Sequence, residues 1–228
     1  MNVFENGAEL AAGLADRIAG ALAGAVAERG AASLAVSGGS TPRAFFNELS
    51  TRPLDWGKVT ITLVDERFVP PDNPRSNHRL VKENLLTDKA KAATFVPLYQ
   101  ATASVEESAL IATQKTAAIG HPFDVAILGM GNDGHTASFF PGGNNLATAL
   151  DANTPPGIIT MEAKDAGEPR LTFTFSSLQD ARLLVLHIEG DGKRDVLSKA
   201  EAPGDEIEMP IRAVLRRAAS PIEIYWAP

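Results

Sequence analysis

Leu10, Leu14, Ile18, Leu22 and Val26 recur at four-residue spacing with alanines between them. That period predicts an amphipathic helix over residues 7–28. The short apolar run 33–36 follows, ending in Ser37-Gly38-Gly39, and reads as a buried strand. Pro42 suits the first turn of a second helix running to about Leu49. Residues 59–64 are rich in β-branched side chains and predict another strand. Ser76 or Asn77 can cap a helix through Leu86, and Ser104 with Glu107 forms a possible capping box for a helix to about Ile119. Further strands are expected at 124–128, 170–175, 183–188 and 222–226, with helices over about 192–200 and 210–218. Strand and helix alternate throughout, and the strands are near-continuously apolar. This pattern predicts an α/β fold of three αβα layers, a mostly parallel Rossmann-like sheet with helices on both faces. One domain over residues 1–228 is expected at this length.

Composition removes whole classes of chemistry. Hydrophobic residues make up 44% and charged residues 21% of the 228, an ordinary globular balance. There is no cysteine, so a disulfide framework, a thiolate metal site and a cysteine nucleophile are excluded. Lys and Arg number 21 against 28 Asp and Glu, a net charge of −7. A chain this acidic is a poor general binder of nucleic acid or of anionic membranes. If its substrate is an anion, the cations that meet it must be local. The first residues carry no Lys or Arg, and no stretch near the start matches a membrane span of about 20 apolar residues. The expectation is a cytoplasmic protein with a small-molecule substrate, no nucleic acid or membrane partner and no obligatory protein partner.

Three unusual segments each follow a predicted strand. They are Ser37-Gly38-Gly39-Ser40-Thr41-Pro42-Arg43, Asp65-Glu66-Arg67-Phe68-Val69-Pro70 and Gly129-Met130-Gly131-Asn132-Asp133-Gly134-His135. Ligands of open parallel sheets bind beyond the carboxyl ends of the strands, so the three segments should meet at one site. In the first, Gly38 and Gly39 permit close backbone approach, Ser40 and Thr41 offer hydroxyls, and the following helix offers free N–H groups. It reads either as an anion cradle or as a tight strand-to-helix turn. In the second, neighbouring side chains of an extended chain point opposite ways, so at most one of Asp65 and Glu66 faces a cleft directly. The third fits G-x-G-x-x-G, but Pro141-Gly142-Gly143 interrupts before a dinucleotide-binding helix could form. Instead Asp133 and His135 flank one glycine, a setting in which an imidazole can serve as general base. His78, His121 and His187 lack such a setting and read as structural. Lys193 is expected near a helix start, where a cation opposes the dipole unless an anion shares the spot. Arg170 opens a predicted strand and is the second candidate cation.

Together, Ser37-Gly38-Gly39-Ser40-Thr41-Pro42, Asp65-Glu66-Arg67 with Val69-Pro70 and Ser76-Asn77, and Gly129 to Ser138 with Phe140-Pro141-Gly142 resemble the 6-phosphogluconolactonase family. The resemblance spans nearly the whole chain in the right order, and its wider superfamily includes glucosamine-6-phosphate isomerases/deaminases. It implies hydrolysis of 6-phospho-D-glucono-1,5-lactone to 6-phosphogluconate in the oxidative pentose phosphate pathway, with no organic cofactor and no metal. It implies His135 as the base that activates water, oriented by Asp133. Asp65, Glu66 and Arg67 match the family's acidic-basic run, which adds Asp65 and Arg67 to the catalytic candidates, with Arg67 or backbone N–H groups as oxyanion donors. Gly38, Gly39, Ser40, Thr41, Arg170 and Lys193 would bind the phosphate. The family often has His where Asn73 stands here, a loop variation.

Two other readings compete. The isomerase/deaminase branch carries a Glu five residues after the histidine, where this chain has Phe140, which cannot transfer a proton. A non-catalytic sugar-phosphate sensor would keep the cradle and need an output module.

Overall fold

The computed structural model describes residues 1–164 and 166–228. Among these residues, ten strands and eight α-helices follow in chain order. They run β1 (Asn2–Val3), α1 (Gly7–Arg29), β2 (Ala32–Val36), α2 (Arg43–Ser50), β3 (Val59–Leu63), β4 (Asp65–Arg67), α3 (Asn77–Asn84), β5 (Thr94–Val96) and α4 (Val105–Ala117). The second half holds β6 (Val125–Leu128), α5 (Leu146–Leu150), β7 (Ile158–Met161), β8 (Arg170–Phe173), α6 (Phe175–Leu178), β9 (Leu183–Glu189), α7 (Asp191–Glu201), α8 (Ile211–Arg217) and β10 (Ile222–Ala227).

Seven strands form one parallel sheet in the order β1-β10-β9-β6-β2-β3-β5. Helices flank it on both faces. Its central strands are buried along their whole length, which is why they read as continuous apolar runs. The first helix begins as its sequence dictates, with the Asn6 side chain accepting from the Glu9 N–H at 2.9 Å. It ends on Gly30 at φ +77, a left-handed position natural to glycine. By length and composition α1 could cross a membrane, but Leu10, Leu14, Ile18 and Leu22 are fully buried in the core.

Chain order reverses between β2 and β6. From β2 the chain moves outward to β3 and β5, then returns to place β6 on the other side of β2. Crevices at such reversals, above the carboxyl ends, are the usual ligand sites of these sheets.

The structure departs from the sequence expectation in one architectural respect. Asp65–Arg67, expected as a segment that merely follows a strand, is itself strand β4, and it pairs antiparallel with β8. With β7 these two form a separate three-stranded antiparallel sheet. Residues 170–175 therefore do not join the large parallel sheet, and the strand stops at Phe173 before α6 begins. An apolar strand of four residues looks the same in either sheet, so periodicity alone does not assign it. The edge strands β1 and β5 and strand β7 lie outside the predicted set because they are short and partly exposed.

Candidate active site

The three segments converge. A cleft of about 350 Å³ opens above the β2–β6 reversal, lined among others by Gly38 to Pro42, Asp65, Arg67, His135, Arg170 and Lys193. Of the residues expected from sequence, Asp133 stands at its margin through its bond to His135.

Ser37 ties the two central strands where they end. Its hydroxyl donates to the Ile127 carbonyl at 2.8 Å and accepts from the Gly129 N–H at 3.0 Å. The cradle and the histidine-bearing turn thus start from one fixed point. Gly38 makes room for Asn77: a Cβ there would fall 1.8 Å from Asn77 Oδ1, so the buried Asn77 side chain would have to move. Gly39 takes φ +94. Helix α2 then starts at Arg43 with no side-chain cap, which leaves its first N–H groups to the cleft side. The Ser40 and Thr41 hydroxyls bond to no other described residue.

The turn from Gly131 to His135 is folded back on itself. The Gly131 N–H donates to the His135 carbonyl at 2.8 Å, and His135 Nδ1 lies 2.6 Å from Asp133 Oδ1. A Cβ on Gly131 would stand 2.1 Å from that Nδ1, so the missing side chain makes room for the imidazole. Burial alone would raise the Asp133 carboxyl, but hydrogen bonds and charge attraction from His135 outweigh it and hold it at about 2. Because a carboxylate only accepts, the Nδ1 carries a proton, and Nε2 is the ring nitrogen turned away from Asp133. The ring packs against Phe140 at 4.5 Å between centroids, and Arg170 lies over the same Phe140 ring at 5.2 Å. Next to the turn, Ala137 adopts φ +48, a strained left-handed conformation for a residue with a Cβ.

Strand β4 sends its side chains alternately to two places, as its pleat requires. Asp65, only 7% exposed, lines the cleft and accepts from the Ser138 hydroxyl. Glu66 points away and is wholly buried. Burial pushes its carboxyl up from the ordinary value, opposed by the Asn77, His78 and Arg67 N–H groups and the Ser76 hydroxyl. Two of those N–H groups belong to the first turn of α3, so Glu66 caps that helix from another strand. Arg67 faces the cleft, with Nη1 held by the Arg75 carbonyl and by Asn77 Oδ1 at 3.2 Å. Its Nε is buried without a partner among the described residues.

The two candidate cations approach from different elements. Arg170 opens β8 and is nearly buried; its Nη2 donates to the Ala166 carbonyl at 2.6 Å. Burial lowers its guanidinium from the usual value, against the attraction of Asp65 and Glu168. Lys193 is the third residue of α7. Burial lowers its ammonium, and Asp133 opposes the shift.

Several cleft residues lie outside the sequence reading. Asn77, expected only as a cap, bridges the Asp65 carbonyl at 2.9 Å and Arg67. Phe140 forms one wall. His187, read as structural, is buried yet lines the cleft, with Nε2 3.0 Å from Glu189 Oε1. Its position two residues before Glu189 on one strand face was the available signal. His78 and His121 pack against Phe95 and Phe123 and do not line the cleft. Among the described residues, no three His, Cys, Asp or Glu side chains cluster as metal ligands would.

Residues 5–226 match the family model of glucosamine-6-phosphate isomerases/6-phosphogluconolactonase. A 6-phosphogluconolactonase of Rhizobium meliloti is 69% identical over 228 residues, covering 100% of this chain and 98% of the relative. One of Pseudomonas aeruginosa is 43% identical over 100% of this chain and 94% of its own. The crystal structure of a 6-phosphogluconolactonase from Shewanella baltica superposes with a TM-score of 0.96 at 40% identity, covering 100% of this chain and 97% of that one. A monomeric glucosamine-6-phosphate deaminase shares the fold, with a TM-score of 0.78 at 19% identity.

Proposed function

The chain belongs to the glucosamine-6-phosphate isomerase/6-phosphogluconolactonase family, and from that premise we infer how its cleft works. The reaction is hydrolysis of 6-phospho-D-glucono-1,5-lactone to 6-phospho-D-gluconate, a step of the pentose phosphate pathway. In our reading the Gly38–Thr41 cradle receives the 6-phosphate, and Arg170 and Lys193 supply the charge that an acidic chain must concentrate locally. The anchored phosphate turns the lactone carbonyl toward His135. The Nε2 of His135 takes a proton from water as the water oxygen attacks C1. Asp133 holds the ring in the tautomer that leaves Nε2 free and stabilises the imidazolium that forms. We assign the developing oxyanion to the Arg67 guanidinium, which faces the same cleft. Collapse breaks the bond from C1 to the ring oxygen, which takes the proton back from the imidazolium. The carboxylic acid product then ionises, so each lactone releases one acid equivalent.

The observation that carries this reading is the Asp133–His135 contact of 2.6 Å at the mouth of the cradle-bearing cleft. Phe140 disfavours the isomerase/deaminase alternative, because an apolar ring occupies the place of that branch's proton-transferring Glu. The test is acid release from fresh lactone by the wild type and by His135→Ala. The variant should fold, by circular dichroism, and lose at least about 10²-fold in kcat, the size of general-base catalysis. Full activity in a folded His135→Ala protein would remove the base assignment.

A further inference from the structure

The segment between α7 and α8 has no helix or strand of its own, yet it is fastened firmly. Arg212, in the first turn of α8, is nearly buried. Its guanidinium donates to the carbonyls of Lys199 at 3.1 Å and Ala200 at 3.3 Å, and to that of Asp205 at 2.9 Å. The first two lie at the carboxyl end of α7, where the helix dipole favours a cation. Gly204 lets the chain pass close by, since a Cβ there would come within 2.3 Å of Arg212 Nη1. Arg216 adds bonds to the carbonyls of Gly204 at 2.7 Å and Ala202 at 2.9 Å.

One end of this unit lines the cleft and the other braces the turn that carries His135. At one end, α7 starts with Lys193 among its first three residues and extends about 15 Å to the Arg212 site. At the other end, the Ile211 N–H donates to the Gly134 carbonyl at 2.9 Å. Among the described residues, that is the one backbone hydrogen bond the 131–135 turn receives from outside itself. The Met209 side chain packs on Gly134, where a Cβ would be 2.9 Å from its Cε.

We propose that α7, the segment 202–210 and the start of α8 form a bracket, pinned by Arg212, that sets the distance between Lys193 and His135. Arg212 and Met209 are then positioning residues, and what they position is the general base relative to the phosphate anchor. The inference rests on the functional reading above. Its physical basis is that misplacing a reacting group by about 1 Å can cost about 10²-fold, but only when the substrate is held in register.

A double-mutant cycle on kcat/KM for the phosphorylated lactone tests it, with Lys193→Ala and Arg212→Met. In the wild-type background Arg212→Met should cost about tenfold. In the Lys193→Ala background, where the substrate is no longer held at the far end, the same change should cost less than about twofold. A merely structural role lowers both backgrounds by the same factor, and that additive result overturns the proposal. So does a Lys193→Ala protein with unaltered kcat/KM. If Arg212→Met fails to fold, Met209→Ala runs the same cycle from the other end of the bracket: a loss that shrinks in the Lys193→Ala background supports the proposal, and an equal loss in both overturns it. Failure of the wild type to hydrolyse the lactone would instead defeat the functional reading itself.

Discussion

Two aspartates serve the cleft in opposite surroundings. Asp133 sits on a glycine-bounded turn with its side chain 48% exposed, and among the described residues its side chain bonds to His135. Asp65 sits on a paired strand, nearly buried, with Ser138, Arg170 and the Glu66 network around it. The first pair is partly exposed to solvent at the cleft margin. The second is enclosed by a fixed hydrogen bond and a paired strand. In our proposal one wall of the cleft moves a proton, and the other holds its shape and field. Substitutions on the two walls should fail in different ways.

The sharpest break falls on the holding wall. Glu66→Ala leaves the N–H groups of Asn77 and His78 without the carboxylate that satisfies them, inside the protein. It should cost about 2–4 kcal/mol of stability by urea unfolding. His135→Ala should change stability by less than about 0.5 kcal/mol while removing turnover. Equal stability losses at the two positions would erase the distinction between the walls.

Next in size is the reading of the phosphate. Lys193→Ala should lower kcat/KM for the phosphorylated lactone about 10- to 150-fold, the worth of one charge-assisted hydrogen bond. Unphosphorylated gluconolactone offers nothing to anchor and should be hydrolysed almost as before. Arg170→Ala should show the same selectivity with a smaller loss, because Arg170 already donates to the Ala166 and Glu168 carbonyls. Equal losses on both lactones would place these cations in the support of the fold or of the chemistry. The smallest effect expected is none at all: exhaustive chelation should leave turnover unchanged, and recovery with one specific divalent ion would contradict that.

Sequence made the moving wall legible and the holding wall only partly so. The Asp-Gly-His turn has local causes. Gly131 clears space for the imidazole, Gly134 supplies φ +78, and Asp133 lies two residues from its partner. Local causes leave local patterns. The partners of Glu66 and Arg67 are about ten residues away, on the start of α3, and those of Asp65 are further still on the 138 and 170 segments. Nothing in the spacing of Asp65-Glu66-Arg67 says that β4 leaves the parallel sheet to pair with β8. The spacing of His187 from Glu189 marks a polar pair, but it does not place the pair in a site: His187 lies inside an apolar strand, and the reversal of chain order around β2 brings that strand's end to the cleft wall.

The central claim, that this cleft opens a phosphorylated lactone, is tested most directly by following acid release and ammonia release side by side. Fresh 6-phosphogluconolactone should yield one proton per molecule at a rate well above its spontaneous hydrolysis, in proportion to protein added. Glucosamine 6-phosphate should yield no ammonia, because Phe140 cannot carry the proton that ring opening needs. Acid release no faster than the spontaneous rate, or ammonia from the aminosugar, would contradict the account.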